Sequence, residues 1–128
     1  MRVSVRSTIG DLADDRRDKS RAFPKRLAET VRHNAHEGNR LARGFASEQH
    51  TMFGDEDIEY PPSFTVERKG RFEYEYGPDA AIGDGSQASG YEFGSINSPP
   101  HFDLARSVDV IGPEYVNDIE DLLRWMFQ

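Results

Sequence analysis

The chain has 128 residues, enough for one domain with a modest core. Acidic residues outnumber basic ones, 23 to 16, and the formal charge of −7 argues against a general grip on nucleic acid, which needs a basic footprint. Cysteine is absent, which excludes disulfides and thiolate chemistry. A hydrophobic content of 36% is lean for a globular chain, so either long polar loops exist or some apolar surface is buried only on assembly.

The opening residues Met1-Arg2-Val3-Ser4-Val5-Arg6 lack the apolar core of a signal peptide, and no apolar run approaches the roughly 18 residues of a membrane span. A product assembled in the cytosol, with no membrane contact, is the expectation. Residues 2–6 alternate polar and apolar as a short edge strand does. Thr8 and Asp11 form an approximate capping box for a charged helix over 9–23. Pro24 interrupts it, and the whole helical region, 9–45, is expected to kink or restart there. Beyond it Leu27, Val31, Ala35, Gly38, Ala42 and Phe45 recur at three and four residues as one apolar stripe, with Gly44 as the expected stop.

Residues 46–62 read as a loop ending in Tyr60-Pro61-Pro62. A β-hairpin over 63–77 is the clearest strand signal, with Phe72, Tyr74 and Tyr76 alternating against Arg71, Glu73 and Glu75 and a tight turn at Lys69-Gly70. From Asp79 to Ser89 the residues are small and polar, as in a flexible loop. A third strand is expected over 90–94, then a turn through Asn97-Ser98-Pro99-Pro100. Residues 101–111 suit either a short helix or a strand. A last helix over 113–127, with Pro113 in its first turn, carries the stripe Val116, Ile119, Leu122, Leu123 and Met126. The whole reads as one α+β domain over 1–128: a small antiparallel sheet with a β-hairpin, packed against a long N-terminal helix and a C-terminal helix.

Few residues offer chemistry. His33 and His36, three apart on a helix, would face one ion with Glu29 or Glu37, but solvated helix histidines are far commoner. Asp55-Glu56-Asp57 lacks the ligand spacing and the glycine of a calcium loop. His101 and Asp103 have the form of a base and its orienting carboxylate, yet no cysteine and no Gly-x-Ser-x-Gly elbow supplies a nucleophile. The turn reading, with Phe102 plugging the core and His101 shaping the turn, is preferred. No phosphate-binding or dinucleotide pattern occurs. The aromatic strand face is read as core rather than as a base-stacking platform. No catalytic residue, metal or cofactor is expected.

The stretch Tyr91-Glu92-Phe93-Gly94-Ser95, followed by Pro100-His101-Phe102 and an amphipathic helix, resembles a signature of tail-completion and head–tail joining (neck) proteins of long-tailed bacteriophages, the siphophage minor-tail and tail-terminator-like group. The resemblance implies a structural virion protein at the head–tail junction, assembled in the host cytoplasm. Its partners would be its own copies in a cyclic ring (a hexamer is the expected count), together with connector, stopper, tail-tube or terminator proteins. DNA would pass through the lumen without specific binding, repelled by candidate lumen acids Asp55, Glu56, Asp57, Glu73 and Glu75. Loops 46–62 and 79–89 are expected to order on docking. The alternative is a cytosolic protein-binding or antitoxin-like regulatory module.

Overall fold

The structure, a computed structural model, describes residues 1–9, 21–52, 59–96 and 99–128, with only the backbone for 49–52. Strand β1 (Val3–Arg6) is followed by helix α1 (Phe23–Met52), then strands β2 (Phe64–Gly70) and β3 (Glu73–Pro78). A short helix α2 (Ala88–Phe93) and the long helix α3 (Asp103–Met126) complete the chain. The three strands form one antiparallel sheet in the order β1-β3-β2, so β1 is an edge strand as its alternation predicts. This is the expected α+β architecture. The expected helix over 9–23, the Asp55-Glu56-Asp57 cluster and the Asn97-Ser98 turn lie largely or wholly outside the described residues.

The strand register sorts the two sheet faces. On one face Tyr76 of the central strand pairs with Val3 on one side and Val66 on the other, and on the opposite face Glu75 pairs with Ser4 and Glu67. The apolar face meets α1, whose buried stripe is Phe23, Leu27, Val31, Ala35, Ala42 and Ala46. On the outer face Arg2 reaches across the sheet, donating to the carbonyls of Thr65, Gly77 and Pro78 at 3.1–3.2 Å. It fastens an edge strand of only four residues to both hairpin strands.

Tyr76 is the centre of the core. Its ring is fully buried, and its hydroxyl lies 2.7 Å from Ser107 Oγ on α3, which in turn donates to the Leu104 carbonyl. On the opposite side the ring lies so close to α1 that a Cβ on Gly38 would stand 2.6 Å from it. Glycine at 38 is therefore a packing requirement of the helix–sheet contact, and the apolar stripe over 27–45 is continuous because this position carries no side chain.

Helix α1 begins at Phe23 with Pro24 in its first turn, where the missing N–H has no partner to lose, as a restart there requires. Three expectations are corrected. Helix α1 does not stop at Gly44, which has open space around it; the helix continues to Met52, and Ala46 adds another buried contact. The hairpin turns at Arg71-Phe72 rather than Lys69-Gly70, with an irregularity between Arg68 and Gly70 that absorbs the offset. Helix α3 starts at Asp103, ten residues before the expected 113, and carries Pro113 in its interior. An interior proline costs about 3 kcal/mol. The burial of Leu104, Ser107 and Ile111 at helical spacing, and a cap described below, hold that first half helical.

The segment 79–87 is also more tied than its composition suggests. Asp79 N–H donates to Ser63 O, Asp84 N–H to Glu59 O, and Glu59 N–H to Asp84 Oδ2. At its centre Gly85 is irreplaceable, since a Cβ there would lie 1.9 Å from the Asp79 carbonyl oxygen. The loop is thus stitched to residues 59–63 within the chain rather than left for a partner to order.

Candidate functional site: a buried clasp with an apolar display

The segment 90–94 is not a strand. Residues 88–93 form helix α2, in which Glu92 is buried while Phe93 is 63% exposed. The reason is electrostatic. Glu92 Oε2 accepts the Leu104 N–H at 3.0 Å and Oε1 accepts the Ala105 N–H at 2.9 Å. These are orphan donors of α3's first turn, so a carboxylate from another element caps this helix. Charge-assisted bonds of this kind contribute about 1.5–3 kcal/mol each. No side-chain cap comes from Phe102 at the N-cap position itself.

Backbone bonds close the clasp. His101 N–H donates to Tyr91 O at 2.8 Å and Phe102 N–H to Glu92 O at 3.1 Å. A run of rings extends it inward: Phe64 stands edge-on to Tyr60 at 5.1 Å, Tyr60 stacks on Tyr91 at 4.2 Å, and Tyr91 is tilted against His101 at 5.6 Å. Residues Tyr91, Glu92, His101 and Phe102, all named by the sequence signature, are therefore brought together. Gly94 takes a positive φ of 82° as the chain leaves α2. Pro100 is exposed.

Phe102 does not plug the core. It is 45% exposed, at a positive φ of 55° that an aromatic residue rarely adopts. His101 occupies the interior instead, with Nδ1 3.4 Å from Asp103 Oδ2. Asp103 is fully buried, and neither of its carboxylate oxygens accepts a hydrogen bond from a described residue. Burial pushes its carboxyl up to about 7, the charge of Glu92 adds to the rise, and Arg106 opposes it. Tyr60 is raised too, first by burial and then by Asp103 and Glu92. A general base must reach its substrate. With both His101 and Asp103 enclosed, that geometry is met only if the clasp opens.

Other sequence candidates are dispersed. His33 and His36 are both exposed on α1, and among the described residues no three His, Asp or Glu side chains converge on an ion. Burial, then Arg32 and His33, holds His36 below the usual imidazole range. Glu73 and Glu75 lie together on the outer sheet face, where Glu73 accepts from Ser4 Oγ and Glu75 stands 3.6 Å from Arg2 and 3.9 Å from Lys69. Sequence reasoning missed Asn34, buried on the α1 stripe, whose Nδ2 donates to Asp118 Oδ2 on α3 at 2.9 Å. It also missed Ser107 beneath Tyr76. Both are polar residues at apolar-stripe positions, and that is the signal that finds them. Two surface grooves accompany these elements. One, about 570 Å³, lies between α1 and α3 near Arg26, His33 and Trp125. The other, about 390 Å³, lies between the end of β1 and the middle of α3.

Family models, curated proteins and solved structures give no match to this chain. The site therefore has to be read from its own geometry. Its inward residues are a cap, a ring stack and a buried acid. Its outward residues are Phe93, Ile96 and Phe102. Such a site builds a rigid support and presents an apolar surface.

Proposed function

We propose that this chain is a non-enzymatic structural subunit of the head–tail interface of a long-tailed phage. It forms a ring that completes or terminates the tail and joins it to the head connector. The observation that carries the reading is the division of labour within the signature: Tyr91, Glu92 and His101 anchor the segment inward while Phe93, Ile96 and Phe102 are held outward. A cluster of large apolar side chains at the surface marks a contact with another protein. The lean composition fits a subunit that completes its apolar burial on assembly.

In this reading the ring's neighbours are the connector or stopper on one side and the tail tube or terminator on the other. Of the two expected lumen acids on the sheet, Glu75 is already offset by Arg2 and Lys69, which makes Glu73 the stronger of the pair for repelling passing DNA. The test is mass spectrometry of purified virions, followed by cryo-electron microscopy of the head–tail junction. Density for the chain between connector and tail tube is the expected result. Its absence from intact particles overturns the reading and puts the regulatory-module alternative first.

A further inference from the structure

Buried titratable side chains from four places in the chain meet at the first turn of α3. Tyr60 comes from ahead of β2, Glu92 from α2, His101 from just before α3 and Asp103 from its first residue, and all four are enclosed. Glu92 has its charge answered, because its two oxygens accept the N–H groups of Leu104 and Ala105. Asp103 does not: neither oxygen accepts a hydrogen bond from a described residue, and His101 Nδ1 stands 3.4 Å away. Tyr91 of α2 stacks on Tyr60 and is tilted against His101, and burial keeps the Tyr60 hydroxyl protonated. Arg106 on α3 favours a charged Asp103, with its guanidinium lying over the Phe45 ring of α1 at 4.0 Å.

The charge in this enclosure is set by one proton. While the His101–Asp103 pair holds a proton, on either member, the pair is neutral and Glu92 carries the only net negative charge of the three. Loss of that proton adds a second negative charge beside Glu92, and like charges in one buried site oppose each other. Burial and Glu92 raise the Asp103 carboxyl to about 7, so the loss falls in the neutral range.

Helix α2 is built to respond by itself. It has six residues, too few to persist as a helix alone, and its main neighbour is the turn Gly85–Gln87. The bonds that fasten it to the start of α3 are the Glu92 cap and the two backbone bonds from His101 and Phe102. Gly94 directly after α2 and Phe102 directly before α3 have positive φ, 82° and 55°, and at Phe102 that conformation is strained, so opening relieves it. The rest of the molecule does not depend on α2, since α1 packs directly on α3 and on the sheet.

We propose that α2 is a proton-tuned latch on α3: it holds firmly while the His101–Asp103 pair keeps one proton, and opens far more often once that proton has left, with the α1–sheet–α3 body folded throughout. The closed latch also sets the apolar display, because the bond from Phe102 N–H to Glu92 O is what holds 93 beside 102. The latch is independent of the assembly reading above.

Amide hydrogen exchange of the intact chain, followed by NMR from about pH 5 to pH 8 and corrected for the intrinsic base-catalysed rate, tests it. The amides of His101, Phe102, Leu104 and Ala105 report the latch, and those of Val31 and Ala35 report the body. The latch amides should open more frequently than the body amides at every pH. Their opening constant should rise about tenfold per pH unit up to about 7 and level off above it, as loss of one proton requires. In Asp103→Asn the constant should not change with pH. Equal protection of the two sets means that 101–105 open only when the whole molecule unfolds, and overturns the latch. A flat profile in the parent chain, or an unaltered slope in Asp103→Asn, overturns its control by this proton. Glu92→Gln decides the matter if Asp103→Asn does not fold: with the like charge gone, the levelling-off should move to lower pH, and an unmoved profile overturns the proposal.

Discussion

Asp103 should make this protein less stable as the pH rises from acid toward neutral, and Asp103→Asn should remove that dependence. The carboxyl is fully buried at the start of α3 with no hydrogen-bond donor to either oxygen among the described residues. Its folded-state value is raised from 3.8 to about 7, by burial first and Glu92 second. In the unfolded chain the group ionises near its ordinary value, so between about 4 and 7 the unfolded state releases a proton that the folded state keeps. The stabilising contribution is thus complete below about pH 4 and is lost as the pH rises through about 7. About three units at about 1.36 kcal/mol each amount to roughly 4 kcal/mol over the window. His101 Nδ1, 3.4 Å away, would reduce that figure whenever the ring is protonated beside an ionised Asp103. Urea unfolding followed by the single tryptophan, Trp125, at steps from about pH 4 to pH 8 measures it in both chains. Asn has the same shape without the charge, so the variant should match the parent near pH 4 and exceed it by about 2–4 kcal/mol near pH 8. A variant less stable than the parent at pH 8, or a difference between the chains that does not change with pH, would refute the reasoning.

Glu92→Gln keeps the shape of the cap but loses its charge and one acceptor oxygen, so stability should fall by about 2 kcal/mol, with faster amide exchange at Leu104 and Ala105. The same change removes the like charge beside Asp103, so the midpoint of the pH dependence should move down. Gly38→Ala gains about 1 kcal/mol of helix propensity, yet its Cβ would stand 2.6 Å from the buried Tyr76 ring; an overpacking cost at the upper end of about 1–3 kcal/mol should leave the variant about 2 kcal/mol less stable in urea. Arg2→Ala should cost about 1–2 kcal/mol and loosen β1 before the hairpin, read as amide exchange at Val3 and Val5 rising ahead of that at Tyr74 and Tyr76.

Periodicity alone was enough for the elements that bury one continuous apolar face. The stripe from Leu27 to Ala42 predicts α1, the alternation around Val3 and Val5 predicts an edge strand, and the pattern from Phe64 to Tyr76 predicts a hairpin. These are local consequences of side-chain spacing, so they are legible without knowing what each face will meet. The turn, boundary and signature assignments failed where a distant partner made the decision. Gly44 does not end α1 because Ala46, two residues on and one turn after buried Ala42, finds a buried site. Pro113 does not begin α3 because the carboxylate of Glu92 caps the helix ten residues upstream. Tyr91-Glu92-Phe93 alternates like a strand, yet it is a helix with its acid inside and its phenylalanine outside. Phe102, expected to plug the core, is exposed, and His101 occupies the interior. Which side chain turns inward there depends on where the unpaired N–H groups of α3 lie, and only the tertiary arrangement places those donors beside Glu92.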